Sequence, residues 1–125
     1  MLSTGLFVMR EIEPDVVVMD FKGRLTTPGI VVASVEQTIK RRIEGGARKL
    51  VLDLSKVDFV DSSGIGMLMV CWSSMNKAGG KLVIAGAGGY AKQALEMVQL
   101  QKHVGMYSNL SEACQAMIEP AAPPA

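Results

Sequence analysis

The five residues Leu50-Val51-Leu52-Asp53-Leu54 constrain the chain more than any others. Successive side chains of a strand point to opposite faces, so a run apolar on nearly every position must be covered on both sides. Such a strand belongs in the middle of a sheet that carries helices. A short acidic loop follows, with Asp58 and Asp61 beyond Asp53. Then come Ser62 and Ser63, and Gly64 opens an apolar helix that stops before Gly79-Gly80. Ile65, Leu68, Trp72 and Met75 recur there at helical spacing, which predicts a largely buried helix with two hydroxyls at its start.

The remaining segments fit around that unit. Gly5 to Ile12 and Val16 to Phe21 are β-prone runs, and the turn signal Glu13-Pro14-Asp15 between them predicts an antiparallel hairpin. Lys22 to Leu25 is expected to leave the sheet. Thr26 or Thr27 can cap the next helix and Pro28 suits its first position. Val32, Val35, Ile39 and Ile43 form its apolar face, and Gly45-Gly46 ends it. Lys81 to Ala85 reads as a buried strand, Gly86 to Gly89 as a turn, and Ala91, Ala94, Leu95 and Val98 as a third helix. Val104 to Tyr107 is a short strand. Ser111 is expected to cap a last helix lined by Cys114, Met117 and Ile118.

The order is ββαβαβαβα. Helices link strands from the second onward, which predicts an α/β domain with a mixed, mainly parallel sheet of four to five strands and about four helices. Residues 1–118 are expected to form one domain. Residues 119–125, nearly all Pro and Ala, are expected to be a disordered tail.

Composition narrows the function classes. A net charge of +1 supplies no field to gather nucleic acid or an anionic membrane, so no direct nucleic-acid partner is expected. The longest uncharged run, Ser62 to Asn76, is shorter than the ~20 apolar residues of a membrane span and holds four serines, so no membrane insertion is expected. No basic segment precedes a hydrophobic run at the N-terminus, so no signal peptide is expected. Cys71 and Cys114 lack CxxC spacing and fall in helices as small apolar residues, which points to a reduced, cytoplasmic setting.

Four stretches could carry chemistry. In Asp61-Ser62-Ser63-Gly64 two hydroxyls sit at a helix N-terminus, where free amides and a partial positive charge favour a phosphate. A kinase can reach a hydroxyl there if the turn is exposed. The plainer reading is that Ser62 or Ser63 only caps the helix. Gly86-Ala87-Gly88-Gly89-Tyr90-Ala91 fits a dinucleotide-binding turn, but no acid stands where the next strand ends, so a flexible loop is the better reading. Asp53, Asp58 and Asp61 suit a divalent cation only with a second acidic cluster and a lysine, which are not found. Ser62 and Ser63 lie outside GxSxG, since position 60 is Val, and the single histidine, His103, has no acid beside it. No catalytic set, metal or cofactor is expected.

The pattern resembles the STAS domain, and within it the stand-alone anti-sigma factor antagonists, over about residues 5 to 118. VLDLSKVDFVDSSGIGML carries most of the likeness. Gly23-Arg24-Leu25, Lys77-Ala78-Gly79-Gly80 and Ser111-Glu112-Ala113 add to it. The resemblance implies a partner switch. An anti-sigma factor that is a serine kinase would phosphorylate the second serine of DSSG, here Ser63, with Ser62 the alternative acceptor. Unphosphorylated antagonist would bind the kinase and release the sigma factor. A serine phosphatase would reset it. Asp61 and Ser62 would belong to the docking surface, and Gly64 would let the kinase approach the turn closely. Thr26 stands where many members carry Asp in a loop near the switch. As the alternative, the resemblance allows an accessory STAS subunit of a membrane transport complex, or a small-ligand-binding module. Neither reading makes the protein an enzyme.

Overall fold

Among the described residues the apolar run around Leu52 lies in the middle strand of five. The computed structural model describes residues 7–12, 16–26 and 29–118. In them β1 (Phe7–Ile12) pairs antiparallel with β2 (Val16–Leu25). Next come β3 (Lys49–Val60), β4 (Lys81–Ala85) and β5 (Gly105–Tyr107), all parallel to β2 and lying side by side in chain order. The connecting helices are α1 (Gly29–Glu44), α2 (Ser62–Lys77) and α3 (Gly89–Met97), the last followed by a 3-10 turn at Leu100–Lys102. After β5 comes α4 (Leu110–Ile118). The expected order and the antiparallel first pair are therefore both present.

Parallel strands added one after another in one direction need crossovers of one hand, which puts every crossover helix on the same face. The cores follow this rule. Val35 and Ile39 of α1, Met67, Leu68, Cys71 and Met75 of α2, and Ala91 and Leu95 of α3 share one cluster with Leu50, Leu52, Leu54, Leu82 and Ile84. The opposite face is left to α4, whose Ala113, Cys114 and Met117 cover Val16, Val18, Val51, Val83 and Ala85. Strand β3 thus sends alternate side chains into two cores, the two-sided burial that its sequence demands.

Three local expectations need correction. Lys22 to Leu25 does not leave the sheet: β2 runs to Leu25, and β3 continues from Leu54 to Val60 beside it. Because β4 matches only Lys49 to Asp53, the ends of β2 and β3 project beyond it as a two-stranded parallel ribbon. Leu25, Val57 and Val60 are buried, which holds the ribbon on the core. Two register shifts, between Asp20 and Lys22 and between Gly23 and Arg24, take up the extra residues of β3. In α2 the buried stripe is Gly64, Met67, Leu68, Cys71 and Met75, with Ile65 and Trp72 only half-buried and Met69 exposed. An excess of apolar residues had obscured which face turns inward. The cap of α4 is Asn109 rather than Ser111: the Asn109 side chain accepts the Glu112 amide at 2.9 Å, and Glu112 accepts the Ser108 amide at 3.3 Å. The Glu13-Pro14-Asp15 turn, Thr27, Pro28 and the Pro/Ala tail lie outside the described residues.

Candidate functional site

The ribbon delivers the chain to the start of α2, and Asp61 makes the turn. Its backbone is extended, at φ −104° and ψ −175°, and its Oδ1 accepts the Gly64 amide at 3.0 Å. Asp61 is therefore the N-cap, which corrects the reading of Ser62 or Ser63 in that role. An N-cap serves an amide two or three residues on, and Asp61 is the strong capping residue three before Gly64. That signal was present in the sequence. With Asp61 as cap, Ser62 and Ser63 become the first two helical residues, and both are exposed. The Ser63 hydroxyl donates to the same Asp61 Oδ1 at 2.6 Å.

Two contacts tie this turn to the end of β2. The Asp61 amide donates to the Leu25 carbonyl at 3.4 Å. Gly64 is buried against the same group: a Cβ on Gly64 would lie 2.1 Å from the Leu25 oxygen and 3.1 Å from Cγ1 of Val60. The missing side chain thus makes room for the protein's own β2. Thr26, exposed, directly follows Leu25. The structure brings Asp61, Ser62, Ser63, Gly64 and the chain around Thr26 to one place. The Leu25 carbonyl that anchors them has no signature in a sequence.

The electrostatics follow from these bonds. The Ser63 hydroxyl, and after it the Gly64 amide, hold the Asp61 carboxyl below its ordinary range. A carboxyl depressed on folding stabilises the fold above its unfolded pKa of 3.8, and that contribution is lost as pH falls through the lower folded value. Asn also caps well but does not titrate. The stability difference between wild type and Asp61→Asn is therefore expected to be largest above about pH 5 and to shrink toward pH 2 in urea titrations. A difference that stays constant across that range would mean that Asp61 carries no such linkage.

The other candidates separate from this turn. Asp53 is buried and accepts the Ser55 amide at 2.9 Å, Asp58 is exposed, and the three acids are not gathered into one group. Gly86, the first glycine of the dinucleotide-like string, packs on Ser55 of β3: a Cβ there would sit 2.7 Å from that of Ser55. Its amide donates to the Tyr107 carbonyl at 2.9 Å. That glycine serves sheet packing rather than a phosphate. His103 is exposed, with its ring centroid 5.8 Å from that of Trp72. Trp72 lies nine residues along α2 from Ser63, about 13 Å at 1.5 Å per residue, so His103 does not meet either serine. The Trp72 and His103 rings line a hollow of about 210 Å³ with Asn76, Lys81 and Leu82. Burial pushes the Cys71 thiol up to about 12 and raises that of Cys114. Among the described residues no helix is long and apolar enough to cross a membrane.

Known proteins share this fold. An anti-sigma F factor antagonist of Paenibacillus polymyxa is 28% identical over 83 residues, covering 66% of this chain and 68% of that protein. An anti-sigma factor antagonist from Mycobacterium paratuberculosis superposes with a TM-score of 0.75 at 22% identity, over 90% of this chain and 93% of the other. The Bacillus cell fate determinant SpoIIAA in its phosphorylated form gives 0.68 at 18% identity, over 87% and 96%. A sulfate transporter family protein from Wolinella succinogenes gives 0.74 at 17% identity, over 86% and 88%. At such identities the structural likenesses establish the fold alone. The family model of the STAS domain matches residues 8–113, most of the chain, and the chain belongs to the STAS domain family.

Proposed function

We propose that this protein is an anti-sigma factor antagonist, switched by phosphorylation of Ser63. The observation that carries this reading is the Ser63 hydroxyl, exposed in the first turn of α2 and held on Asp61 Oδ1 at 2.6 Å. The name of the Paenibacillus relative and the phosphorylated form of SpoIIAA support it. The partner is an anti-sigma factor serine kinase, and a serine phosphatase restores the hydroxyl. Both act on a cytoplasmic domain spanning residues 1–118. In the forward step Ser63 Oγ bonds to the γ-phosphorus of ATP, the bond to the ADP oxygen breaks, and the hydroxyl proton passes to a base of the kinase.

The chemistry of the turn explains why this step would act as a switch. The ester no longer has a hydroxyl proton to donate to Asp61. It adds about −1.5 to −2 charges beside a carboxylate that is already ionised. The partial positive charge at the start of α2 tolerates the new charge, so the domain stays folded. A partner closed over Asp61, Ser62, Ser63 and Thr26 would meet the repulsion directly. Gly64 acts by letting the turn sit on β2.

The test is intact mass after incubation with ATP and each candidate serine kinase of the host. A single phosphate that is lost in Ser63→Ala is expected. Loss in Ser62→Ala alone would move the acceptor to Ser62. A second reading, an accessory STAS subunit of a membrane transport complex, is favoured by the fold of the Wolinella protein. Under it no kinase transfers phosphate, Ser63→Ala is silent, and the protein co-purifies with a membrane transporter.

A further inference from the structure

The ribbon formed by the ends of β2 and β3 carries a group of cations that the fold itself does not use. Lys22 and Lys56 are register partners on neighbouring strands, so two like charges stand side by side. Such neighbours destabilise a sheet, and nothing in the packing of the domain calls for them. Arg24 is the partner of Phe59, and its guanidinium lies 4.5 Å above the ring centroid. That cation–π contact orients the group without occupying its N–H donors. Lys22, Arg24 and Lys56 are all exposed. Among the described residues none of the three pairs with a carboxylate, whereas Arg10, Lys40 and Arg42 do. Helix α4 packs on the first half of the strands, around Val16, Val18 and Val51, and does not reach Lys22, Arg24 and Lys56, which stay exposed among the described residues.

The position of the group matters as much as its charge. Arg24 immediately precedes Leu25, whose carbonyl accepts the Asp61 amide, so Arg24 borders the Ser63 turn, and Lys22 and Lys56 continue the strip back along the same ribbon. We propose that Lys22, Arg24 and Lys56 form a docking platform for an acidic segment of the protein that engages that turn. Charge complementarity selects this occupant. Three cations beside Asp20 and Asp58, on a chain of net charge +1, are too few to hold a nucleic acid or an anionic bilayer. They are enough to steer one short acidic strip and to fix its register. The proposal deepens the Ser63 reading by naming the partner's chemistry, and it rests on that reading for the partner's role.

The experiment is an NMR titration of the ¹⁵N-labelled full-length protein with a short polyglutamate peptide. Amide shifts are expected at Lys22, Arg24, Lys56 and Phe59. Affinity should fall at least about tenfold as salt rises from about 0.01 to about 1 M, which shortens the screening length from about 30 to about 3 Å. The triple variant Lys22→Gln/Arg24→Gln/Lys56→Gln should lose the shifts, and the double variant Lys22→Gln/Lys56→Gln, which keeps the Arg24–Phe59 contact, should weaken them while unfolding at no lower temperature than wild type, since a like-charge contact is removed. Lys40→Gln/Arg41→Gln on α1 should keep them. Shifts centred elsewhere, or none, would overturn the platform. So would tighter binding of a single-stranded oligonucleotide or of phosphatidylserine vesicles, which would assign the cations to a different partner class. Phosphorylation of Ser63 without peptide binding would sink only the platform. Peptide binding without phosphorylation would sink only the Ser63 reading.

Discussion

Gly64→Ala is expected to cost about 3 kcal/mol of folding stability, the upper end of ordinary overpacking. The added Cβ would lie 2.1 Å from the Leu25 carbonyl oxygen, and a main-chain group of a paired strand cannot rotate aside as a side chain does. Either α2 lifts off the ribbon or Leu25 shifts away from Val60. Both movements strain the bond from the Asp61 amide to the Leu25 carbonyl, so the amide resonance of Ser63 should move as well. Gly66, two residues on, supplies the control. It is exposed and a Cβ there meets nothing within 4 Å. Gly66→Ala should therefore stabilise the helix by up to about 1 kcal/mol, because glycine is the weaker helix former. Urea denaturation of the two variants should give opposite signs. Equal and small effects would show that α2 is not seated on β2 as described.

The second large effect is on binding. Ser63→Glu should weaken the complex with the proposed anti-sigma factor kinase at least about 100-fold, since a like charge forced against a docked surface costs several kcal/mol. The domain itself should hardly notice. A carboxylate in the first turn of a helix gains about 0.3–1 kcal/mol from the dipole. Against this stand repulsion by Asp61 and loss of the Ser63–Asp61 hydrogen bond, so the net change should stay within about 1 kcal/mol. Ser63→Ala should bind like wild type and stay bound in the presence of ATP. Isothermal titration of the three proteins separates the cases. Undiminished binding by Ser63→Glu would remove Ser63 from the interface, and a Ser63→Ala protein that fails to bind would mean that the hydroxyl itself is the recognised group.

The two effects act on neighbouring residues for different reasons. Gly64 works inward, through contact with β2, and Ser63 works outward, through its exposed hydroxyl. Asp61 joins them: one oxygen accepts from both, so the cap of α2 and the orientation of the candidate acceptor depend on the same carboxylate.

Local chemistry made much of this legible. The apolar run at Leu50 to Leu54 required a central strand, and helix-length segments between successive strands required parallel pairing with the helices covering that strand. Glycines punctuated α1 and α2, and the DSSG string placed hydroxyls at a helix start. These features depend on residues near one another in the chain, where alternation, capping preference and helical spacing are decided.

What the sequence left open depends on contacts between distant segments. Whether Lys22 to Leu25 stays in the sheet turns on Leu25 finding Val57 and Val60 about thirty-five residues later. The inward face of α2 could not be read from a helix apolar almost all round; the sheet chose Gly64, Met67, Leu68, Cys71 and Met75. The use of Gly64 is invisible without Leu25 opposite it. The pairing of Lys22 with Lys56, and of Arg24 with Phe59, exists only once β2 and β3 are in register. The sequence by itself determined the order of elements and the turn that carries Ser63, because both are written in neighbouring residues. Only the tertiary structure decided how that turn is anchored and which charges surround it, because packing brings those groups together from opposite ends of the crossover.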